Sequence, residues 1–313
     1  MSGYTLRQLE CFVAVAEQGS IASAAKGLLL SQSAVSGAVD ALEKAFATQL
    51  TIRRKAHGVA LTPSGRYVLE QARSLLSQAE DLRLHASDAG GQLRGSLAVG
   101  CYSSLAPTVL ARLIDHYTTR HPLVELDFFA GSQLEVRQRL NGGSLDAAIA
   151  YDMSLPPELA RRRLYDAVPS IVLAADHPLA GLPGLTLGQV AEEPMILLDV
   201  DPSRENTMMM FAAAGLQPRI RFRTTDFEVT RSLVARGMGY SILVQQPAGA
   251  VSYEGKPVVV LPILPAVRKV PVSVVWPQAA QPSRAAAALI ELAGELFADQ
   301  PSGTSHVRVT ART

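Results

Sequence analysis

The sequence predicts an α/β chain that carries an all-α head at its N-terminus. Three observations predict it. Up to about residue 89 the apolar side chains recur at helical spacing. From Ser96 onward short runs of Val, Ile, Leu and Ala alternate with helical stretches. The chain has 313 residues and 48% hydrophobic content, enough for two or more cores.

The head is predicted element by element. Thr5 followed by Gln8 is a capping-box start for a first helix, with Leu6, Leu9, Phe12, Val13 and Ala16 as its buried stripe. Ser20 caps a short second helix carrying Ala22, Ala24, Ala25 and Leu28, and a tight turn follows at Leu29, Leu30 and Ser31. A third helix starts at Ser31 and Gln32. Its Val35, Ala38, Val39, Leu42 and Phe46 fall on one face. The opposite face shows Gln32, Ser33, Ser36, Gly37, Asp40 and Lys44, small and hydrogen-bonding groups that suit close approach to base edges in a major groove. A helical hairpin in an enzyme could have the same spacing; the neighbouring signals favour the DNA head.

Between Lys44 and Arg66 the chain has Arg53, Arg54 and Lys55 and no acid. Two short strands at 50–53 and 59–62, joined through His57 and Gly58, form a basic hairpin placed to lie on phosphate. The alternative is a solvated hairpin tip. This signal is local, because the whole chain has a net charge of only +1.

Residues 6–65 resemble the LysR-type transcriptional regulators. The matching positions are Leu6, Leu9 and Phe12; Glu17, Gly19 and Ser20; Ala24 and Ala25; Ser31 through Ser36; Leu42 and Glu43; and Leu61, Thr62, Pro63 and Gly65. Three positions depart from the pattern. Gly37 and Asp40 stand where many members carry a basic residue, and Thr51 stands where a bulky apolar residue is usual. The resemblance implies a sequence-specific DNA-binding regulator, with double-stranded DNA as partner. It assigns residues 1–62 to a winged helix–turn–helix, 63–90 to a linker helix and 91–300 to an effector domain, with 301–313 a loose tail.

Residues 63–89 read as one helix that Thr62 can cap. Val68, Ala72, Leu75, Ala79, Leu82 and Ala86 are spaced as a heptad seam, leaving Arg66, Glu70, Arg73, Glu80, Asp81 and Arg83 for solvent. The seam either buries against its own domain or pairs two chains; its place between two domains favours a homodimer or, by resemblance, a homotetramer. Gly90 and Gly91 end the helix as a hinge.

Beyond Ser96, strands are expected at 97–99, 124–129, 147–150, 168–174, 195–198, 220–223, 240–244, 258–261 and 270–276. Helices are expected at 107–120, 134–140, 207–214, 229–235 and 283–297. The resemblance implies two α/β lobes joined by two crossovers, like periplasmic solute-binding proteins. The chain leaves lobe one near 151–166 and returns near 267–270, so lobe one is about 91–166 and 268–300 and lobe two about 167–267. Ligands of open α/β sheets sit beyond the carboxyl ends of strands. The turns placed there are Tyr102, Ser103 and Ser104; Gly131, Ser132 and Gln133; Asp199, Asp201, Pro202 and Ser203; and Thr225, Asp226, Phe227 and Glu228. Any single Ser or Asp among them could equally be a helix cap. The serines suit an anion and the acids an amine or hydroxyls, so an amphoteric or polyhydroxylated small metabolite is expected. Arg204 and Arg231 neutralise part of the acidity.

Other chemistry is not signalled. Cys11 and Cys101 make no disulfide framework or metal spacing, and the peroxide-sensing members of the family use two cysteines close in sequence. The six histidines have no ligand spacing, and no G-x-S-x-G, P-loop or G-x-G-x-x-G follows a strand. An enzyme and a pure solute receptor are therefore weaker readings, and no cofactor or metal is expected. No run approaches the ~20 apolar residues of a membrane span, and no signal-like N-terminus is seen. A cytoplasmic chain without membrane contact is the expectation.

Overall fold

The computed structural model describes residues 3–54, 58–87, 92–247, 249–279 and 281–298. The predicted hinge at Gly90 and Gly91, the wing-tip residues Lys55 and His57, and the tail 301–313 lie outside them, as do the side chains of Arg54, Asp81 and Ala86.

The head is three helices and a hairpin. Helix α1 (Leu6–Gln18) starts on a complete Thr5–Gln8 capping box, α2 (Ile21–Gly27) on Ser20, and α3 (Gln32–Ala45) on Ser31, whose hydroxyl accepts from Ala34 N at 3.1 Å. Leu9, Cys11, Phe12 and Val15 of α1 pack on Ala24, Ala25, Val35, Val39 and Leu42. Leu6, expected in the stripe, is 48% exposed, because the buried face starts one turn later. Strands β1 (Thr51–Arg54) and β2 (Gly58–Leu61) pair antiparallel. Gly58 has φ +75° and a Cβ there would sit 2.2 Å from the Gly19 carbonyl, while Val59 N donates to that carbonyl at 2.7 Å. This contact pins the hairpin to the α1–α2 corner. Thr51, the departure from the usual apolar residue, is buried, and its hydroxyl and amide both donate to Glu43 Oε1, at 2.9 and 2.8 Å.

Helix α4 (Pro63–Ser87) divides its predicted seam between two jobs. Val68 and Ala72, with Leu69 and Leu76, close the head core. Leu75 and Leu82 point outward, 40% and 72% exposed. Arg73, expected in solvent, is instead a tether. Its guanidinium pairs with Glu17 of α1 at 2.9 Å and donates to the carbonyl of Gly142 in the next domain. A long side chain at the crossing of three elements finds acceptors on both sides.

The first lobe is a five-stranded sheet in the order β4-β3-β5-β13-β6. Its strands are β3 (Gly95–Tyr102), β4 (Val124–Gly131), β5 (Ala147–Tyr151), β6 (Leu159–Ala167) and the returning β13 (Val270–Pro277). The first three run parallel and β13 pairs antiparallel with β5 and β6. A π-helical turn (Ala106–Leu110), α5 (Ala111–Arg120), α6 (Gln133–Asn141) and the C-terminal α10 (Arg284–Phe297) cover it.

The expected departure at 151–166 contains β6, a strand of lobe one, so the chain leaves at the far end of that range, after Ala167. The β6 sequence, LARRRLYDA, pairs with the buried β13 while its arginines stay in solvent or in ion pairs. The turn expected at 100–104 also shortens. Strand β3 continues to Tyr102, whose Cα partner is Gly131, so Tyr102 is core rather than turn.

The second lobe contains β7 (Ser170–Ala174), β8 (Leu185–Thr186), β9 (Pro194–Leu198), β10 (Arg219–Thr224), β11 (Ser241–Leu243) and β12 (Val258–Leu264). A four-stranded group, β11-β7-β12-β8, meets the pair β10-β9 through Tyr240, whose amide donates to Pro194 O and whose carbonyl accepts from Ile196 N. Helices α7 (Leu187–Ala191), α8 (Ser203–Ala213) and α9 (Phe227–Ala235) pack on it.

Candidate nucleic-acid interface and interlobe cavity

Two surfaces carry the chemistry that the sequence points to. On the head, α3 buries Val35, Val39 and Leu42 and leaves Gln32, Ser33, Gly37, Asp40 and Lys44 exposed, with Ser36 half-buried. Nothing lies within 4 Å of a Cβ placed on Gly37, so the smallest point of this face is open to a partner. Ser33 shares a 3.0 Å hydrogen bond with the capping Ser31. Asp40 links helix and hairpin: one oxygen takes the Arg53 guanidinium of β1 and the other accepts from Ser36 Oγ at 3.4 Å. Spacing alone does not show that Asp40 reaches the hairpin; it requires the β1 register.

The second surface lies between the lobes. Tyr102 OH meets Ser203 Oγ at 3.3 Å across the gap, and Gln245 Nε2 donates to Thr108 Oγ1 at 2.7 Å. Val200 and Val244 of the second lobe pack on the core of the first. Below these contacts, the rings of Tyr102 and Tyr151 cross at 5.3 Å. Burial pushes both phenols above their ordinary range, which keeps them neutral hydroxyls.

Beside this closed seam is a cavity of about 1310 Å³. Six of the fourteen expected effector residues line it: Ser103, Ser104, Thr225, Asp226, Phe227 and Glu228. The other eight do not. Tyr102 is in the core, and Ser203 is its partner across the lobes. Gly131 ends β4 under the Phe129 ring. Ser132 forms a capping box with Glu135, whose carboxyl its hydrogen bonds hold below the usual range. Gln133 donates to Met153 O at 3.1 Å. Asp199 is taken up by Arg204 and Arg223, and Asp201 by Arg204. Pro202 opens α8. These eight make the core contacts, caps, hydrogen bonds and ion pairs just described and do not line this cavity.

The cavity also has walls that the turn-by-turn reading missed. Tyr165 and Asp166 come from β6, and Gln245, Gln246 and Tyr253 from the second lobe's last connections. The Asp166 Oδ1 atom is buried with no hydrogen-bond partner, although Arg163 holds the other oxygen. Glu228 and Arg231 form a buried ion pair at 2.9 Å; Arg231 donates further to Gly249 O and Val251 O, and Tyr253 N donates to Glu228 at 2.6 Å. Asp226 spends one oxygen capping α9 through Glu228 N and Val229 N. The cavity thus combines an aromatic wall, hydroxyls and fixed charges. Both cysteines lie elsewhere, buried, and burial raises both thiols above their ordinary range. Among the described residues, no helix is long and apolar enough to cross a membrane.

Comparison with known proteins agrees with this division. Residues 6–66 match the bacterial regulatory helix-turn-helix protein model of the LysR family, and residues 90–298 match the LysR substrate binding domain. The chain is 30% identical over 298 residues to an uncharacterised HTH-type transcriptional regulator, YvbU, of Bacillus subtilis (strain 168), covering 94% of this chain and 99% of that one. It is 33% identical to HinK, a LysR family transcriptional regulator from Pseudomonas aeruginosa, with a TM-score of 0.64 over 94% of this chain and 99% of that one. It is 43% identical to the C-terminal domain of a probable LysR family regulator from Rhodococcus sp. RHA1, with a TM-score of 0.63, covering 64% of this chain and 99% of that one. The chain belongs to the LysR family of DNA-binding transcriptional regulators and is not an enzyme.

Proposed function

We propose that α3 enters the major groove of a double-stranded operator with Gln32, Ser33, Ser36, Gly37, Asp40 and Lys44 toward the bases, while Arg53, Arg54 and Lys55 of the wing follow phosphate. Residues 1–62 form the DNA-reading unit, and the linker 63–90 pairs two chains into a homodimer, or a homotetramer through further contacts. Residues 91–300 form the sensor, with lobe one at about 91–166 and 268–300 and lobe two at about 167–267. A small polar metabolite occupies the interlobe cavity against Ser103, Ser104, Thr225, Asp226, Phe227 and Glu228. It works in the cytoplasm, where DNA is.

One observation carries this reading: a cavity of about 1310 Å³ bounded by both lobes, in a chain whose head is tied to lobe one by Arg73. A ligand that touches both lobes favours their closed arrangement, and its differential affinity sets how far the equilibrium moves. The partly unpaired Asp166 and the hydroxyls of Ser103 and Ser104 support a ligand with hydrogen-bond donors and acceptors. The test is a selection of duplexes from a random library by the full chain, followed by footprinting. Two protected half-sites about one helical turn, or a multiple of it, apart are expected. A single protected half-site would break the dimeric reading.

A further inference from the structure

We propose that Asp40 and Arg53 form a discriminating pair, which suppresses binding to DNA of arbitrary sequence and yields only at a well-docked site. The inference rests on the reading that α3 and the wing face DNA. Asp40 is an exposed acid in the middle of that face, and its carboxylate holds the guanidinium of Arg53, the described cation of the wing strand. Non-specific affinity for DNA is almost wholly a matter of cations meeting phosphates. In the free chain this pair contributes no net charge to that encounter, and Asp40 repels the phosphates that approach it. At a well-docked operator the released Asp40 carboxylate accepts from a base-edge donor such as a cytosine amino group, a contact that arbitrary DNA does not place there, so the cost of opening the pair is recovered at the operator alone. The ratio between specific and arbitrary DNA therefore rises, a gain obtained by weakening the wrong complex.

The pair is also easy to break. Its two side chains are 50% and 56% exposed, so water competes for both partners and a phosphate in register can replace the carboxylate. Ser36 is coupled to the same switch through its hydrogen bond to Asp40. When Arg53 turns to phosphate, one Asp40 oxygen is freed on the groove-facing surface, while Ser36, one helical turn away, still holds the other.

The experiment uses the full chain, a random-sequence duplex and a duplex selected by the wild-type chain, titrated across salt. Asp40→Asn keeps the shape and removes the charge. It is expected to raise affinity for the random duplex by roughly three- to tenfold, to steepen the log–log salt slope by about one, and to raise affinity for the selected duplex less. In an Arg53→Ala chain the same substitution should gain less, because it removes only the repulsion by Asp40 and no cation is left to release. An unchanged or weaker random-duplex affinity in Asp40→Asn would mean that the pair braces the wing, and would overturn the proposal. So would a full gain in the Arg53→Ala background. Failure of the wild-type chain to bind either duplex at low salt would remove the DNA-face reading itself, and the proposal with it.

Discussion

Gly37 shows how a residue can cost stability and still belong. It sits inside α3, where glycine is about 1 kcal/mol worse than alanine, and its missing side chain relieves no crowding, since nothing lies within 4 Å of its Cβ position. Packing within the chain therefore does not explain it; the proposed close approach to DNA does. Gly37→Ala is expected to stabilise the chain by about 0.5–1 kcal/mol in urea unfolding and to weaken its binding to a selected duplex. Stabilisation with unchanged binding would take this position off the DNA face. The face itself was legible because helical periodicity sorts α3 into two sides without reference to anything else. Two features on it were not legible. Asp40 has a partner thirteen residues away, and Arg53 finds it only when β1 lies in its observed register.

At the scale of elements, α4 combines a buried side and an exposed apolar side that a heptad pattern cannot separate. Ala72 is buried in the head, and Leu75, three residues on, is exposed. Changing Leu75 and Leu82 together to Glu should split the assembled chains without loss of head stability, read by sedimentation and thermal melting of the same variant. Ala72→Glu should instead cost several kcal/mol, because it buries a carboxylate among Leu9, Phe12 and Val35. An intact oligomer in the double variant would place the chain-to-chain contact elsewhere, between the sensor domains. The strands tell a similar story about what spacing can reveal. β7 and β5 are runs of buried apolar residues and declare themselves, whereas β6 spells Arg161, Arg162 and Arg163 in succession and becomes a strand only because β13 pairs with it along its length. Tertiary pairing overrode a sequence that reads locally as a connection.

The whole molecule decides which of the fourteen expected effector residues meet a ligand, because that depends on how two lobes face each other. Six line the cavity; the others follow the rule that ligands gather beyond strand ends, yet the core, caps, backbone hydrogen bonds and ion pairs, which the rule does not see, hold them elsewhere. Ser103 and Ser132 make the distinction testable. Both follow parallel strands of lobe one, and Ser103 N donates to Gly131 O at 2.8 Å, so the two turns are neighbours. Ser103 opens onto the cavity, and it is exposed. Ser132 accepts from Glu135 N and donates to the Glu135 carboxylate at 2.7 Å. A ligand bridging the lobes binds only the folded chain and so raises its melting temperature. Ser103→Leu should abolish that rise, measured with a metabolite panel on the full chain, and leave the ligand-free melting temperature nearly unchanged. Ser132→Ala should do the reverse: lose about 0.5–2 kcal/mol of stability through the cap and keep the ligand's increment. Were Ser132→Ala to lose the increment while Ser103→Leu kept it, the ligand would have to sit at the Tyr102–Ser203 seam. The lobes would then have to part there before binding, since that contact is closed in the free chain.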